Sequence, residues 1–231
     1  MSEIECQVSA ITPLTESVFK VVLRPKAHVE FKAGQYILVH MGKDDKRPFS
    51  IASPAYDHEQ IELHIGADKA NTYAFEVLEK MRHEGIIKIS GGHGDAFLRN
   101  THKDIILIAG GTGFSYTHSI LQQFLHEQHD NQIHLYWGGK TQSDLYMSNK
   151  MKQLATLHPH FTYVPVIEDG DNNWTGHTGY VHHAVMKDFA DMSQCHVYIA
   201  GRFEMAKAAR DDFKQHQLNE RDLFGDAFAF I

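Results

Sequence analysis

The stretch AGGTGFSY, Ala109 to Tyr116, closes a run of aliphatic residues and leads into a helical pattern. Gly110, Gly111 and Gly113, with Thr112 among them, let backbone approach a ligand closely. A helix opening near Phe114 offers N–H groups to a diphosphate. Two further turns have the same character: YWGGK, with Gly138 and Lys140, and IAGRF, with Ala200, Gly201 and Arg202. Binding of a phosphorylated nucleotide is the chemistry these residues suit. The dinucleotide fingerprint G-x-G-x-x-G wants glycine where Tyr116 stands, and YWGGK supplies no acidic ribose ligand. No G-K-[ST] follows either, so this is not a Walker loop. Taken alone, GGTG is explained equally well as a tight strand-to-helix turn.

A second stretch, RPFSIAS from Arg47 to Ser53, places an arginine, a proline and hydroxyls in what otherwise reads as a strand. Proline cannot donate to a sheet ladder and belongs at edges, strand starts or bulges. The chain's two cysteines, Cys6 and Cys195, fall short of the about four thiolates an iron–sulfur cluster needs. Eighteen histidines include the clusters His126 with His129, His158 with His160, and His182 with His183. None has a metal-ligand spacing such as H-E-x-x-H, so solvated surface histidines and no metal are expected.

The elements that must position these residues fall into two groups. CQVSAI, VFKVVLRP, GQYILVHM, RPFSIAS, QIELHIGA and GIIKISGG are short, β-branched and divided by turn residues, the pattern of a small antiparallel barrel. Asn71 to Gly85 interrupts them with apolar residues at helical spacing and a closing glycine, predicting one helix before the last barrel strand. From Lys103 the rhythm alternates. IILIAGG, IHLYWGG, FTYVPVIED and HVYIAG read as strands, separated by the helices SYTHSILQQFLHEQ, SDLYMSNKMKQLATL and GYVHHAVMKDF. FEMAKAARDDFKQH follows as a helix, and FGDAFAF is expected to be a final strand. Such alternation means βαβ units and a parallel sheet. Domains are therefore expected at residues 1–101 and 102–231, with ligands beyond the carboxyl ends of the parallel strands.

A chain of 231 residues, 42% hydrophobic and 22% charged, is an ordinary globular composition. Its net charge of −7 argues against sequence-independent nucleic-acid binding. The opening MSEIECQVSAITPL lacks a basic start and a long apolar run, and no segment approaches the roughly 18 apolar residues of a membrane span. A cytoplasmic protein with neither nucleic-acid nor membrane partners is expected.

RPFSIAS, then HIGA, in a barrel placed before a glycine-turn α/β domain, resembles the ferredoxin–NADP reductase superfamily. ELHIGA, LIAGGTGFSY, YIAGRFEMAK and FGDAFAFI make the chain similar to the bacterial flavin reductases within it. The resemblance covers almost the whole length. It implies an N-terminal Greek-key β-barrel that takes flavin and a parallel-sheet domain that takes NADH or NADPH, with hydride transfer between the two rings. The family's R-x-[YF]-[ST] motif falls on Arg47, Pro48, Phe49 and Ser50. On that basis Ser50 is the catalytic candidate, its hydroxyl bonding flavin N5. Pro48 and Phe49 would line the isoalloxazine, and Arg47 would lie near the ribityl chain or its phosphate. Backbone of His64, Ile65, Gly66 and Ala67 would meet the pyrimidine end. The dinucleotide would lie on Gly110, Gly111, Thr112, Gly113, Phe114, Gly138, Lys140, Ala200, Gly201 and Arg202.

Departures from the family's pattern bear on how flavin is held. Phe49 stands where many relatives carry tyrosine, which removes one hydrogen bond worth about 0.5–1.5 kcal/mol. DKANTYAFEV lacks the glycine–serine helix start that grips a dinucleotide tail in relatives with resident FAD. Ala200 stands where many relatives have cysteine facing the nicotinamide. The first two favour FMN or riboflavin, with FAD a third candidate, as an exchangeable substrate, and a reduced-flavin-using monooxygenase or ferric iron as the eventual acceptor. Two alternatives stay open: a reductase with tightly held flavin serving a protein partner, and a non-catalytic dinucleotide-sensing module.

Overall fold

The computed structural model describes residues 3–68, 71–170 and 173–231. Met1, Ser2, Lys69, Ala70, Asp171 and Asn172 lie outside it, and with them parts of the opening stretch and of DKANTYAFEV. The chain divides into two compact units, residues 1–98 with His118–Gln123 and residues 99–117 with Phe124–Ile231.

The first unit is an antiparallel sheet of β1 (Ile4–Pro13), β2 (Val18–Pro25), β3 (Tyr36–His40), β4 (Lys46–Ser50), β5 (Ile61–Gly66) and β6 (Ile86–His93), in the order β4-β3-β6-β1-β2-β5. The outer strands β4 and β5 meet, closing the sheet into a Greek-key barrel. RPFSIAS shows how. Arg47 to Ser50 pair with β3, Tyr36 opposite Ser50. Ile51 then donates to Gln35 O at 3.1 Å, and Ala52 donates across to Glu62 O at 2.7 Å. The strand therefore ends at Ser50, short of the stretch expected, because its backbone changes partner from β3 to β5. Pro48 sits exposed on this outer strand, where a missing donor costs little.

Helix α1 (Thr72–Glu84) runs as the spacing predicts. Asn71 caps its start and Gly85, at φ 65°, its end, donating to Met81 O. Ala74, Val77, Leu78 and Met81 form one buried stripe against the barrel core of Leu23, Ile37, Leu63 and Ile65. Each large side chain so enclosed stabilises by about 1.5–3 kcal/mol.

The second unit is an all-parallel sheet in the order β10-β9-β8-β7-β11-β12. Its strands are β7 (Asp104–Gly110), β8 (Ile133–Gly139), β9 (Phe161–Ile167), β10 (His177–Thr178), β11 (Cys195–Ala200) and β12 (Leu223–Phe224). Helices α2 (Phe114–Glu127), α3 (Ser148–Leu157), α4 (Val181–Asp188) and α5 (Phe203–Phe213) connect them. Ile105 to Ala109 are buried without a break, as a central strand covered on both faces requires. Among the described residues no helix is long and apolar enough to cross a membrane.

Three expectations change. FGDAFAF is not a strand: only Leu223 and Phe224 pair with β11, and Asp226–Ala229 winds into a 3-10 turn. Ala227 tucks inward there while Phe230 is 75% exposed, so the apolar alternation has no second face to bury. The helix expected from Ser143 begins at Ser148, because Thr141 and Asp144 cap each other around a separate 3-10 turn. The two-residue β10 carries too few residues for any periodic signal.

Histidines are also less superficial than expected. His182, read from sequence as a surface residue, is 4% exposed, turned toward Asp212 at 3.4 Å. Burial lowers the pKa of His134, His182 and His196, all in the second unit. Their folded pKa values lie below the unfolded value of about 6.5, so unfolding takes up protons. Stability is whole above that value and declines as pH falls through it toward the folded values. Thermal unfolding is expected at a lower Tm at pH 5.5 than at pH 7.5, and an unchanged Tm would contradict this assignment.

Candidate active site

In the second unit the strand order reverses at β7. Strands β8, β9 and β10 extend to one side of it, β11 and β12 to the other. A crevice at such a reversal, outside the carboxyl ends of the strands, is where open parallel sheets bind ligands. The residues singled out from sequence gather there. Ala109 pairs with Ala200 and Gly110 with Gly138, so three glycine turns lie side by side. Lys140 and Arg202 are exposed just beyond their strands.

Within the turn Gly111–Gly113 the glycines do different work. A Cβ on Gly113 would stand 2.2 Å from Ala200 O, so close packing of the turn on β11 demands glycine. Gly111, at φ +53°, has nothing within 4 Å of its Cβ position, which leaves its backbone open to a ligand. Phe114 differs from the other predicted contacts. Its ring is wholly buried, stacked on Trp137 at 3.8 Å between centroids, and its N–H bonds back to Gly111 O and Thr112 O. Trp137 Nε1 donates to Gly111 O at 3.0 Å, a brace that sequence reading missed. The aromatic just before the glycines of YWGGK was its only signal.

In the first unit the predicted flavin contacts lie on β4 and β5, which meet at the barrel's seam. Ser50 is half-buried at the end of β4, and Phe49 packs partly on the barrel core. Ile65 and Ala67 are buried, and Ala67 N donates to Ser17 O. Arg47 is buried and fully engaged. Its Nε and Nη2 donate to Asp45, Nη2 also meets Glu76 at 2.8 Å, and Nη1 donates to Tyr73 O. The hydrogen bond to Asp45 raises the Arg47 pKa and, from the other side, holds the Asp45 carboxyl below its ordinary range. Asp45 and Glu76 were not foreseen; D-x-R before a strand was the available hint.

The Ala52–Ser53 segment is held by residues of α2 that belong to the same unit. His118 Nδ1 and Gln122 Nε2 both bond Ala52 O, each at 3.0 Å, and Ser119 Oγ donates to Ser53 O at 2.7 Å. On β5, Glu62 meets His64 Nε2 at 2.8 Å. Burial works to raise the Glu62 pKa, but the bond with His64 and the fields of both histidines bring it below the ordinary value.

The chain matches the family of oxidoreductase NAD-binding domains over residues 107–211. It is 48% identical to an NAD(P)H-flavin reductase of Aliivibrio fischeri, over 99% of each chain. It is 44% identical to an NAD(P)H-flavin reductase of Vibrio harveyi, again over 99% of each. Among solved structures, the ferredoxin reductase in carbazole 1,9a-dioxygenase superposes at a TM-score of 0.83 with 21% identity, over 98% of this chain and 69% of that one. The cytochrome b5 reductase domain of Ulva prolifera nitrate reductase gives 0.81 with 15% identity over 95% of both, a likeness of fold alone.

Proposed function

We propose, from the premise that this chain belongs to the NAD(P)H-flavin reductase family, that its flavin is an exchangeable substrate and not a resident group. The protein is an NAD(P)H-dependent oxidoreductase. In this reading the diphosphate of NADH or NADPH rests on the turn from Gly110 to Gly113, flanked by Gly138, Lys140 and Ala200 to Arg202. Riboflavin or FMN lies against Pro48 and Phe49, with backbone of His64 to Ala67 at its pyrimidine end. Hydride passes from nicotinamide C4 to flavin N5, where Ser50 bonds. The protein's part is to bind and orient the two rings; the redox chemistry is theirs. Reduced flavin then leaves for a flavin-using monooxygenase.

One observation carries the exchangeable character. The guanidinium of Arg47 is already neutralised by Asp45 and Glu76. A flavin phosphate arriving there must displace a carboxylate, so the tail gains little grip and the ring supplies most of the affinity. Riboflavin and FMN should therefore be accepted with similar efficiency.

The double variant Asp45→Asn, Glu76→Gln tests this. With both carboxylates removed, Arg47 is available for a charge-assisted bond worth about 1.5–3 kcal/mol. KM for FMN is expected to fall about tenfold or more relative to riboflavin, with riboflavin turnover little changed. An unmoved ratio would show that Arg47 does not reach the flavin tail.

A further inference from the structure

We propose that Glu62, His64 and His118 form a binding site for a divalent transition-metal ion. Alternation along β5 places Glu62 and His64 on one face of the strand. Helix α2 brings His118 to them inside the same compact unit. Each residue offers one ligand atom, and these atoms lie within 4.8 Å of one another. His64 Nε2 and Glu62 Oε1 are 2.8 Å apart. Two donors at right angles, each about 2.1 Å from one ion, stand about 3 Å apart. That edge is already close to metal-binding spacing.

His118 carries a mark of a ligating imidazole. Its Nδ1 lies 3.0 Å from the Ala52 carbonyl, which can only accept, and 3.1 Å from Gln122 Nε2; the proposed site takes the tautomer with the proton on Nδ1, donated to that carbonyl. The neutral ring then carries its lone pair on Nε2, the tautomer a metal requires. Histidines that ligate metals commonly donate their second nitrogen to a backbone carbonyl in this way, which fixes the ring's orientation. Gln122 bonds the same carbonyl and holds it in place. The His64 side chain is 0% exposed while Glu62 is 21% exposed, so the site is enclosed but reachable from the carboxylate side. Two imidazoles and a carboxylate suit Zn²⁺, Co²⁺ or Fe²⁺; Mg²⁺ and Ca²⁺ prefer oxygen donors throughout.

Protein stripped with chelator and titrated with Co²⁺ reads the site directly. One equivalent should bind and develop visible ligand-field absorption. Affinity should fall at least about a hundredfold in Glu62→Gln and in His118→Ala. His182→Ala, in the separate group with His183 and Asp212, should leave binding unchanged. X-ray absorption of Zn²⁺ bound to the His182→Ala protein needs no change at the site itself. It should show two imidazole nitrogens with oxygen donors. Absence of the cobalt spectrum, binding that survives both site variants, loss of binding in His182→Ala, or a zinc shell without two imidazoles would each overturn the proposal. The hydrogen-bonded Glu62–His64 pair would then be a purely structural contact.

Discussion

Ser50→Ala is expected to lower kcat/KM for flavin reduction by about ten- to a hundredfold while leaving the Tm unchanged. The size follows from removing one donor whose bond strengthens as charge shifts onto flavin N5, worth about 1.5–3 kcal/mol. The unchanged Tm follows from the backbone. Ser50 pairs with Tyr36, and Ile51 and Ala52 beyond it are bonded to Gln35 and Glu62, so the segment keeps its place without the hydroxyl. Steady-state kinetics with riboflavin and a thermal melt check both halves. Activity within about twofold of the parent would remove Ser50 from the reaction, since a bond to N5 cannot be worth so little.

Gly113→Ala should have the larger effect on the molecule as a whole. The added Cβ meets Ala200 O at 2.2 Å, Ala200 C at 2.6 Å and Gly201 N at 3.0 Å. All three are backbone atoms, so no flexible side chain can move aside. Gly113 has φ −56°, which any residue adopts, so the cost is steric alone. Overpacking of this kind costs about 1–3 kcal/mol. Because it drives the Gly111–Gly113 turn away from the end of β11, KM for NADH should rise about tenfold or more. Gly111→Ala is the contrast: its Cβ points into open space, and the penalty is confined to holding φ +53°. A Gly113→Ala protein with parental Tm and KM would contradict this packing.

How much of this was legible in the sequence depends on how local each cause is. Helix α1 was readable because its cap residues Asn71 and Gly85 and its apolar stripe lie within one stretch. The strand–helix alternation after Lys103 likewise announced the parallel sheet, and the glycine turns fell where a parallel sheet keeps its ligands. The glycines' separate duties were not legible, because Gly113 answers to Ala200, far along the chain. Nor could the change of partner after Ser50 be read, since it depends on Glu62 lying across the barrel's seam. The closure of Arg47 needed Glu76 from helix α1, further along the chain. The gathering of Glu62, His64 and His118 joins a strand to a helix residue far along the chain. Motif spacing carries no trace of contacts made between distant segments. FGDAFAF misled for the opposite reason: its alternation is local, but the chain winds into a 3-10 turn at Asp226 and Phe230 stacks only on the exposed Phe203 ring.

The most direct test of a flavin that comes and goes is to desalt the protein exhaustively, record its visible spectrum, and follow NADH absorbance before and after adding riboflavin or FMN. The expected result is a colourless protein that consumes NADH only once free flavin is supplied. Yellow colour that survives dialysis, with NADH oxidation that needs no added flavin, would contradict it, as would a protein that leaves NADH untouched when flavin is present.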